Sequence, residues 1–466
     1  MLGLAAGFVP RFLDSAADAR SIPHCRYGVA DDNTAAADSC ILTIPAAPDA
    51  AMLTGATTLD ISRAVTRALD NRIYLSLFPA SSQGAALDED IVAAAFCFLS
   101  LHDQRSTSSR DTFGRFTAAA STLGRLGLLH RPVVAEYASL LRALLRERGA
   151  HLASPARYNG REAGYCVTHD VDYITRRRAG FAWHEVRALF GGSGTARERF
   201  ERFSDYLAVL AGRGDPPAVS LLRMLAGERE KGVRATWFLK SAARDARDVP
   251  YKLDAPVLRE ALKTIHDDGH AIGLHPSYLS FRESADILRE RTLLEGAAGR
   301  HIDTVRQHYL RFEYPDTWRA QRAAGLRCDA TLGFAEYEGF RNGCCHPFLP
   351  YDVERDEPIP LWCLPLHAMD GTFHHYRGLD PAHSTRILDE LAATTAAHGG
   401  IFSVLFHNIA YDRHNWPGWD TVFEHTLDQA VEKNIFSAPI GEMVDTWLAG
   451  LGLDGAEAVQ KIVLEG

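Results

Sequence analysis

The feature that most constrains the fold is a series of short apolar segments that alternate with helical patterns through the last two thirds of the chain. Seven segments of strand length have this form: 164–170, 233–239, 271–275, 304–310, 326–332, 360–366 and 401–407. Five of them end at or beside Asp, Arg or His residues. Strand–helix alternation predicts parallel strands covered by helices, as in an α/β barrel or an open parallel sheet.

Changes in composition along the chain predict two domains. Residues 154–163 (SPARYNGREA) are polar and contain Gly and Pro, which is typical of a boundary. We therefore assign 1–155 to a smaller accessory domain, mixed but mostly helical, and 156–466 to the α/β domain. An excursion at about 173–230 separates the first two predicted strands, and such insertions usually decorate the active-site face of a barrel.

Charge, hydropathy and cysteine usage limit the class of protein. The net charge of −9 argues against a nucleic-acid binder with a basic surface. The densest apolar stretch, 91–101, is about half of a bilayer span, and residues 1–12 lack the basic region of a signal peptide. Eight cysteines without a CxxC pair, two of them adjacent at Cys344 and Cys345, favour reduced thiols. We therefore expect a cytoplasmic protein without a transmembrane segment.

Two carboxylates close the first predicted strand in the sequence THDVD. Residues at i and i+2 of a strand point to the same side, so Asp170 and Asp172 lie together. Neighbouring carboxylates repel each other unless a cation or a proton lies between them. The pair is as consistent with a solvated strand end as with a metal ligand beside a free base.

Further polar residues close the later strands. His275 ends the strand in GLHPSY, and Arg306 and His308 share one face of the segment RQHYLRF. An arginine beside a carboxylate lowers the pKa of that carboxyl group and fixes its direction, and a strand-end histidine can donate a proton near neutral pH. Asp370 and His407 follow two later apolar segments. Because the carboxyl ends of barrel strands meet at one rim, these residues together predict an active site.

These motifs together resemble the NodB-like polysaccharide deacetylases, carbohydrate esterase family 4, from about residue 164 onward. The resemblance implies an α/β fold in the form of a deformed (β/α) barrel. It also implies a divalent metal, usually Zn²⁺ with Co²⁺, Ni²⁺ or Fe²⁺ as other ions, and removal of N-acetyl groups from sugars. The motifs DATLGF and GFRNG, with the accessory domain, resemble a divergent branch that is associated with surface polysaccharide biosynthesis.

The resemblance also assigns roles to individual residues. It implies that Asp170 is the catalytic base, oriented by Arg306, and that Asp172 and His275 bind the metal. His407 matches the histidine that protonates the leaving amine. The two aspartates are adjacent in most of the family, whereas here one valine separates them, in Asp-Val-Asp.

One position departs from the family pattern. The second motif normally supplies another histidine four residues after the first, where this chain has Leu279. A catalytic zinc needs three protein ligands and an open position. We choose His308 as the third ligand, because the end of its strand should lie beside that of His275. His169 and His270 remain alternatives.

Four further residues complete the predicted site. We expect Asp370 to keep His407 protonated, although this pairing is the least constrained by the sequence. Tyr309, Tyr278 and Arg311 are expected to contact the substrate. The backbone N–H of Tyr309 is a candidate donor to the oxyanion.

The substrate follows only from compartment and chemistry. A cytoplasmic deacetylase does not meet finished wall polymer, so we expect an acetylated amino sugar carried by a lipid-linked oligosaccharide or a nucleotide sugar, with possible association with a polysaccharide assembly complex. The arginines at 176–178 are candidates for a diphosphate, or form an ordinary solvated turn. Two alternatives remain, a hydrolase of another linear amide or ureide on the same barrel and a catalytically degenerate glycan-binding or scaffold protein.

Overall fold

The structure is a computed structural model. It describes residues 24–27, 40–48, 50, 53, 55, 59–62, 64–69, 72–80, 87–152, 158–177, 179–191 and 195–453. The N-terminal apolar stretch at 1–12 and Arg178 lie outside these residues.

The accessory region combines two small strand pairs with helices. Its strands, one parallel pair followed by one antiparallel pair, are β1 (His24–Tyr27), β2 (Cys40–Ile44), β3 (Val65–Leu69) and β4 (Arg72–Ser76). Its helices are α1 (Ile91–Leu99), α2 (His102–Arg105), α3 (Thr122–Arg125) and α4 (Val133–Glu147). Helices α1 and α2 are separated at Leu101, which has a positive φ of 49°.

Nine further helices belong to the α/β domain. They are α5 (Ala179–Gly191), α6 (Ala196–Leu210), α7 (Pro216–Lys231), α8 (Pro256–Asp267), α9 (Ser284–Ala298), α10 (Asp316–Ala323), α11 (Pro381–Ala397), α12 (Trp419–Ala430) and α13 (Ile440–Gly450) among the described residues. Helices α5 to α7 form the predicted insertion. Helix α8 shows why such segments fold: Pro256 starts it, and Leu258, Ala261 and Ile265 bury one face.

A curled parallel sheet forms the centre of this domain. The strands along the chain are β5 (Ala163–Val171), β6 (Thr236–Leu239), β7 (Ala271–Leu274), β8 (Thr304–Val305), β9 (Cys328–Asp329), β10 (Tyr351–Asp352), β11 (Glu357–Pro358), β12 (Trp362–Cys363), β13 (Ala368–Met369), β14 (Ile401–His407) and β15 (Ile435–Ser437). The order across the sheet is β12-β9-β8-β7-β6-β5-β14-β13, with β15 also pairing with β5. Strands β10 and β11 form a separate hairpin. Strands β12 and β13 are the two edges of this sheet. The sheet and its helices form the deformed (β/α) barrel that the family resemblance implied.

Several strands are shorter than their apolar segments. The segment 304–310 is a strand only over Thr304–Val305, because the chain turns at His308–Leu310. Tyr309 and Leu310 have positive φ angles of 63° and 52°, which a strand excludes. Apolar composition therefore identified the buried segments correctly but overestimated the length of regular pairing.

The accessory region and the barrel share one hydrophobic core. A single cluster of buried side chains extends from Leu42 of β2 to Ala430 of α12. Backbone hydrogen bonds join the two regions, from Val134 N to Gly343 O at 2.8 Å and from Phe340 N to Leu129 O at 2.7 Å. The predicted boundary near residue 155 therefore separates regions that pack closely together.

Two predictions from composition concern membranes and thiols. Among the residues with described coordinates, no helix has the length and apolar character to cross a bilayer. The six cysteines whose side chains are described are all buried and free of disulfides.

Candidate active site

The parallel register brings the polar strand ends to one level. In β14, His407 pairs with Asp170 of β5, which in turn pairs with Phe238 of β6. His275 and Arg306 directly follow the paired residues that end β7 and β8. Residues more than 230 positions apart in sequence therefore meet at the same rim, as expected for the carboxyl ends of barrel strands.

Three side chains at this rim form a group with metal-ligand geometry. One ligand atom each from Asp172, His275 and His308 lies within 4.8 Å of the others. Asp172 Oδ1 is 3.4 Å from Nε2 of both imidazoles. Two imidazoles and a carboxylate, all converging on one point, are a typical ligand set of a catalytic zinc site.

The hydrogen bonds behind the imidazoles fix which nitrogen faces this point. His275 donates from Nδ1 to the backbone oxygen of Arg306 at 2.7 Å. His308 donates from Nδ1 to Asp248 Oδ1 at 2.8 Å. Because each Nδ1 faces an acceptor, each Nε2 is the nitrogen directed at Asp172, as in the carboxylate–histidine–metal arrangement.

Electrostatics at the cluster keep the Asp172 carboxyl group ionised, which is the form that binds a metal. Burial alone would raise the pKa of Asp172, but His308 and Lys240 outweigh it and hold that pKa well below its usual value. Burial alone would lower the pKa of His308, but Asp172 and Asp248 outweigh it and raise that pKa. Asp172 Oδ1 is buried and has no hydrogen-bond partner of good geometry among the described residues. A divalent ion would satisfy this oxygen and both nitrogens, so the residues fit a metal.

The second aspartate, Asp170, is held by an arginine. Its Oδ1 accepts a hydrogen bond from Arg306 Nη1 at 3.0 Å, and its Oδ2 lies 3.7 Å from His275 Nε2. Arg306 is fully buried, donates from Nε to the Ala330 carbonyl at 3.0 Å, and lies 4.4 Å from the centre of the Phe238 ring. The direction of the Asp170 carboxylate is therefore set by a side chain that is itself rigidly packed.

His407 and Asp370 form a close pair at the other side of the cluster. Asp370 Oδ1 is 2.7 Å from His407 Nδ1, and Asp370 Oδ2 accepts the His407 backbone N–H at 2.7 Å. Burial alone would lower the pKa of His407, but Asp370 and the carboxylates of Asp172 and Asp170 outweigh it and raise the pKa to about 10. The imidazole is therefore protonated at neutral pH, with Nε2 3.7 Å from Asp172 Oδ2.

A cavity of about 890 Å³ opens at this rim. Its polar floor contains the two aspartates, His275, His308 and His407, and its walls combine aromatic, aliphatic and polar residues. The aromatic residues of the walls are Tyr173, Phe181, His184, Tyr309, His375, Tyr376 and Trp416. The volume is in the range of about 300–1,000 Å³ that holds a small ligand.

The three predicted substrate contacts occupy different places. Tyr309 lines the cavity. Tyr278 packs edge-on against Tyr309 with ring centres 5.5 Å apart, and Arg311 lies 4.3 Å above the Tyr278 ring. Tyr278 therefore packs against Tyr309, and Arg311 packs on Tyr278, whereas neither of them is among the residues that line the cavity.

The alternative metal ligands are occupied elsewhere. His169 is buried with its ring nitrogens 3.0 Å from Phe406 O and 2.7 Å from Glu228 Oε1. His270 accepts the Ala235 backbone N–H at 3.0 Å, on the same side of the sheet as Glu228. Neither reaches Asp172, so His308 is the histidine that the fold brings to the cluster.

The arginine run does not offer a free cation at residue 176. Arg176 is buried and forms ion pairs with Asp412 and with Glu185, the latter at 3.9 Å. Arg177 is half-exposed and lies 3.9 Å from Asp215. The sequence interpretation of this run as a diphosphate contact therefore has no support at Arg176, whose charge is already neutralised.

Three residues near the site carried no signal in the sequence. Asp248 orients His308, Lys240 donates from Nζ to the Asp172 carbonyl at 2.6 Å, and Arg115 lines the cavity from the accessory region. Asp248 lies in a loop without periodicity, and Arg115 belongs to another predicted domain. Only a search for carboxylates able to support a ligand histidine would have singled out Asp248, and the chain has 59 acidic residues.

Comparisons with known proteins add context for both regions. Residues 35–150 match a family of unknown function (DUF7033). No curated protein sequence matches the chain.

Several solved structures are similar to the barrel. One is the structure of a probable polysaccharide deacetylase from Pseudomonas aeruginosa PAO1, with 14% identity and a TM-score of 0.43. The alignment covers 64% of this chain and 96% of that chain. PuuE allantoinase has 13% identity and a TM-score of 0.43, with the same two coverages. The chitin deacetylase from the fungal pathogen Colletotrichum lindemuthianum has 14% identity and a TM-score of 0.33, covering 61% and 88%. These values are low, so the chemistry of the site is derived from this chain's own residues.

Proposed function

We propose that this protein is a metal-dependent hydrolase that removes an N-acetyl group from an amino sugar or an oligosaccharide precursor. The observation that carries the proposal is the presence, in one cavity, of three convergent ligand atoms, a carboxylate held by an arginine and a protonated histidine. These are the groups that hydrolysis of an amide requires: an electrophile, a base and an acid.

The metal would be held by Asp172, His275 and His308. One carboxylate and two imidazoles suit Zn²⁺, and Co²⁺ accepts the same geometry and donors. When bound, the ion supplies Lewis-acid activation of the acetyl carbonyl and of water. Asp248 and the Arg306 carbonyl hold the two imidazoles in place for it.

Asp170 would act as the general base. Arg306 holds Oδ1, which leaves Oδ2 directed toward the ligand cluster, 3.7 Å from His275 Nε2. Asp170 accepts a proton from water as the water oxygen forms a bond to the acetyl carbon.

His407 would act as the general acid. Because Asp370 raises its pKa, His407 holds a proton at neutral pH. His407 gives this proton to the nitrogen as the carbon–nitrogen bond breaks, so that water and the amide become acetate and the amino sugar. The proton taken up by Asp170 restores His407 through solvent after the products leave.

The cavity walls suit a sugar. Aromatic faces at Tyr309, Trp416 and Phe181 offer the flat apolar surfaces on which pyranose rings pack, and Asn415 and Glu185 lie among them as hydrogen-bonding groups. As part of the same proposal, the acetylated sugar is carried on a lipid-linked oligosaccharide or a nucleotide sugar during synthesis of a surface polysaccharide, in association with its assembly complex.

The test measures metal content and acetate release on the same preparations. We expect about one metal equivalent in the wild-type protein. Asp172→Ala, His275→Ala and His308→Ala should lose both metal and acetate release. Asp170→Asn should keep the metal and lose activity by about 10²–10⁴-fold, since it removes the base alone. His383→Ala, at an exposed histidine in α11, is the matched control and should retain both.

Two results would contradict the proposal. Wild-type protein that binds no zinc or cobalt after reconstitution would indicate a scaffold or a glycan-binding protein. Metal-bound protein that releases no acetate from acetylated sugars but hydrolyses ureides or other linear amides would indicate the alternative hydrolase.

A further inference from the structure

The rim of the cavity is formed by turns that follow several strands. Tyr309 belongs to the turn after β8, and His375 and Tyr376 belong to the π-helical turn after β13. In the sheet, β8 lies toward one edge and β13 is the other edge. On the side of the cavity between these two turns, the sheet is open, because its edge strands β12 and β13 are not paired with each other.

Arg115 of the accessory region connects these two turns. Its Nη1 donates to the Tyr309 backbone oxygen at 3.1 Å, and its Nη2 donates to Tyr376 Oη at 3.0 Å. The side chain is only 5% exposed and lines the cavity. The wall between β8 and β13 is therefore completed by a residue from outside the barrel.

The loop 111–116 that carries Arg115 is held by internal hydrogen bonds and by contacts with the barrel. Asp111 Oδ2 accepts a hydrogen bond from Arg115 Nε at 2.7 Å, and Asp111 Oδ1 accepts the backbone N–H groups of Phe113 and Arg115 at 2.9 and 2.8 Å. The Phe113 ring packs on Tyr309 with centres 5.0 Å apart, and Tyr278 Oη donates to the Phe113 carbonyl at 3.1 Å. The loop thus forms a fixed part of the wall.

The wall is also cross-linked on the side of the insertion. Arg202 of α6 donates to Glu185 of α5 at 2.6 Å and to Asn415, in the turn after β14, at 2.8 Å. Glu185 and Asn415 both line the cavity. The cavity is therefore bounded by bonded side chains at two separate places.

We propose that the loop 111–116 closes one end of the cavity, so that the site accepts the terminal acetylated residue of a glycan or a small precursor and excludes the interior residues of a polymer. An interior residue needs an exit for the chain on both sides, whereas a terminal residue needs only one. The proposal rests on the proposed N-deacetylase function and assigns to part of the region matched by DUF7033 a role in substrate selection.

The test uses the full-length, metal-loaded protein and fully N-acetylated chito-oligosaccharides of two and five residues. After partial reaction, mass spectrometry of products labelled at the reducing end identifies which residue has lost its acetyl group. In the wild type we expect deacetylation of a terminal residue in both substrates, with at least tenfold preference over interior residues of the pentamer.

Two variants open the wall to different extents. Arg115→Ala removes both bonds, and Tyr376→Phe removes only the hydroxyl while it keeps the ring. We expect the terminal preference to fall at least tenfold in Arg115→Ala and to a smaller extent in Tyr376→Phe. Arg125→Ala, at an exposed arginine of α3 in the same region, is the control and should keep the wild-type preference.

The outcomes separate this inference from the function on which it rests. Interior residues deacetylated by the wild type as rapidly as terminal ones overturn the inference and leave the deacetylase intact. A terminal preference that survives unchanged in both Arg115→Ala and Tyr376→Phe overturns the role of the loop. No acetate from either oligosaccharide overturns the inference for glycan chains, and no acetate from any acetylated sugar overturns the proposed function as well.

Discussion

At the scale of single residues, the candidate site depends on pairs in which one side chain sets the chemical state of another. Asp248 sets the tautomer of His308, Arg306 sets the direction of Asp170, and Asp370 keeps His407 protonated. In each pair, one side chain takes part in the proposed chemistry and the other fixes its orientation or its protonation state.

Metal affinity should depend on Asp248 although it is not a ligand. We expect Asp248→Asn to weaken zinc binding by about 10–100-fold, because the neutral amide no longer increases the basicity of His308. Isothermal titration with Zn²⁺ against a competing chelator measures this change. Asp245→Asn, at a nearby carboxylate that is paired with Arg247 and does not contact His308, is the control. An unchanged affinity would contradict the supporting role of Asp248.

The pH dependence of activity should depend on Asp370. Because His407 must hold a proton to act as the acid, activity falls as the pH rises through its pKa of about 10. Asp370→Asn removes the strongest stabilisation of the protonated form, so the alkaline limb of the kcat profile should move about 1–3 units lower. Asp428→Asn, on the exposed surface of α12, should leave the limb in place. A limb that does not move in Asp370→Asn would exclude His407 as the acid.

At the scale of secondary structure, close contact between β6 and β7 supports the site. Gly273 of β7 is paired with Phe238 of β6, and a Cβ atom at Gly273 would lie 2.4 Å from the Phe238 ring. The Phe238 ring in turn lies against the Arg306 guanidinium. Glycine at this position therefore allows the aromatic ring on which the arginine of the site rests.

Gly273→Ala should destabilise the protein. We expect a loss of about 1–3 kcal/mol in the free energy of unfolding, because the methyl group overpacks a buried contact. Urea denaturation followed by circular dichroism measures it. Gly296→Ala, at an exposed position inside α9 with open space around it, should instead be neutral or stabilising by up to about 1 kcal/mol. Equal effects at the two glycines would contradict the packing argument.

At the scale of the whole molecule, the metal should couple ligand residues from three separate parts of the chain. Asp172, His275 and His308 follow β5, β7 and β8, so an ion bound by all three cross-links the folded barrel. A ligand that binds only the folded state stabilises it according to its concentration relative to Kd.

Zinc should therefore raise the thermal stability of the wild type. At a free concentration near 100 times Kd we expect about 2.7 kcal/mol of stabilisation, visible as a higher Tm in calorimetry and reversed by a chelator. His308→Ala should lose most of this response, and His383→Ala should retain it. An equal response in His308→Ala would place the zinc elsewhere.

How much could be predicted from the sequence differs between the elements. The alternation of apolar segments identified seven of the nine strands of the central sheet and missed the short strands β13 and β15. The Asp-Val-Asp spacing placed two carboxylates together, because strand alternation is local and periodic. The lengths of β8, β9 and β12 were overestimated, because buried irregular segments have the same apolar composition as strands.

By itself, the sequence determined the class of the fold and the set of polar residues at the strand ends. Both follow from short stretches of sequence, namely the alternation of strand and helix patterns and the polar residue that follows each apolar segment. The sequence offered His308 as the third ligand beside two alternatives, and the tertiary structure decided among the three. Only the tertiary structure decided that Asp248 supports His308 and that Arg115 completes the wall of the cavity. These contacts join residues that lie 60 to 194 positions apart or depend on the positive φ at Tyr309. Their geometry follows from how loops pack across the rim, and no local pattern in the chain encodes that packing.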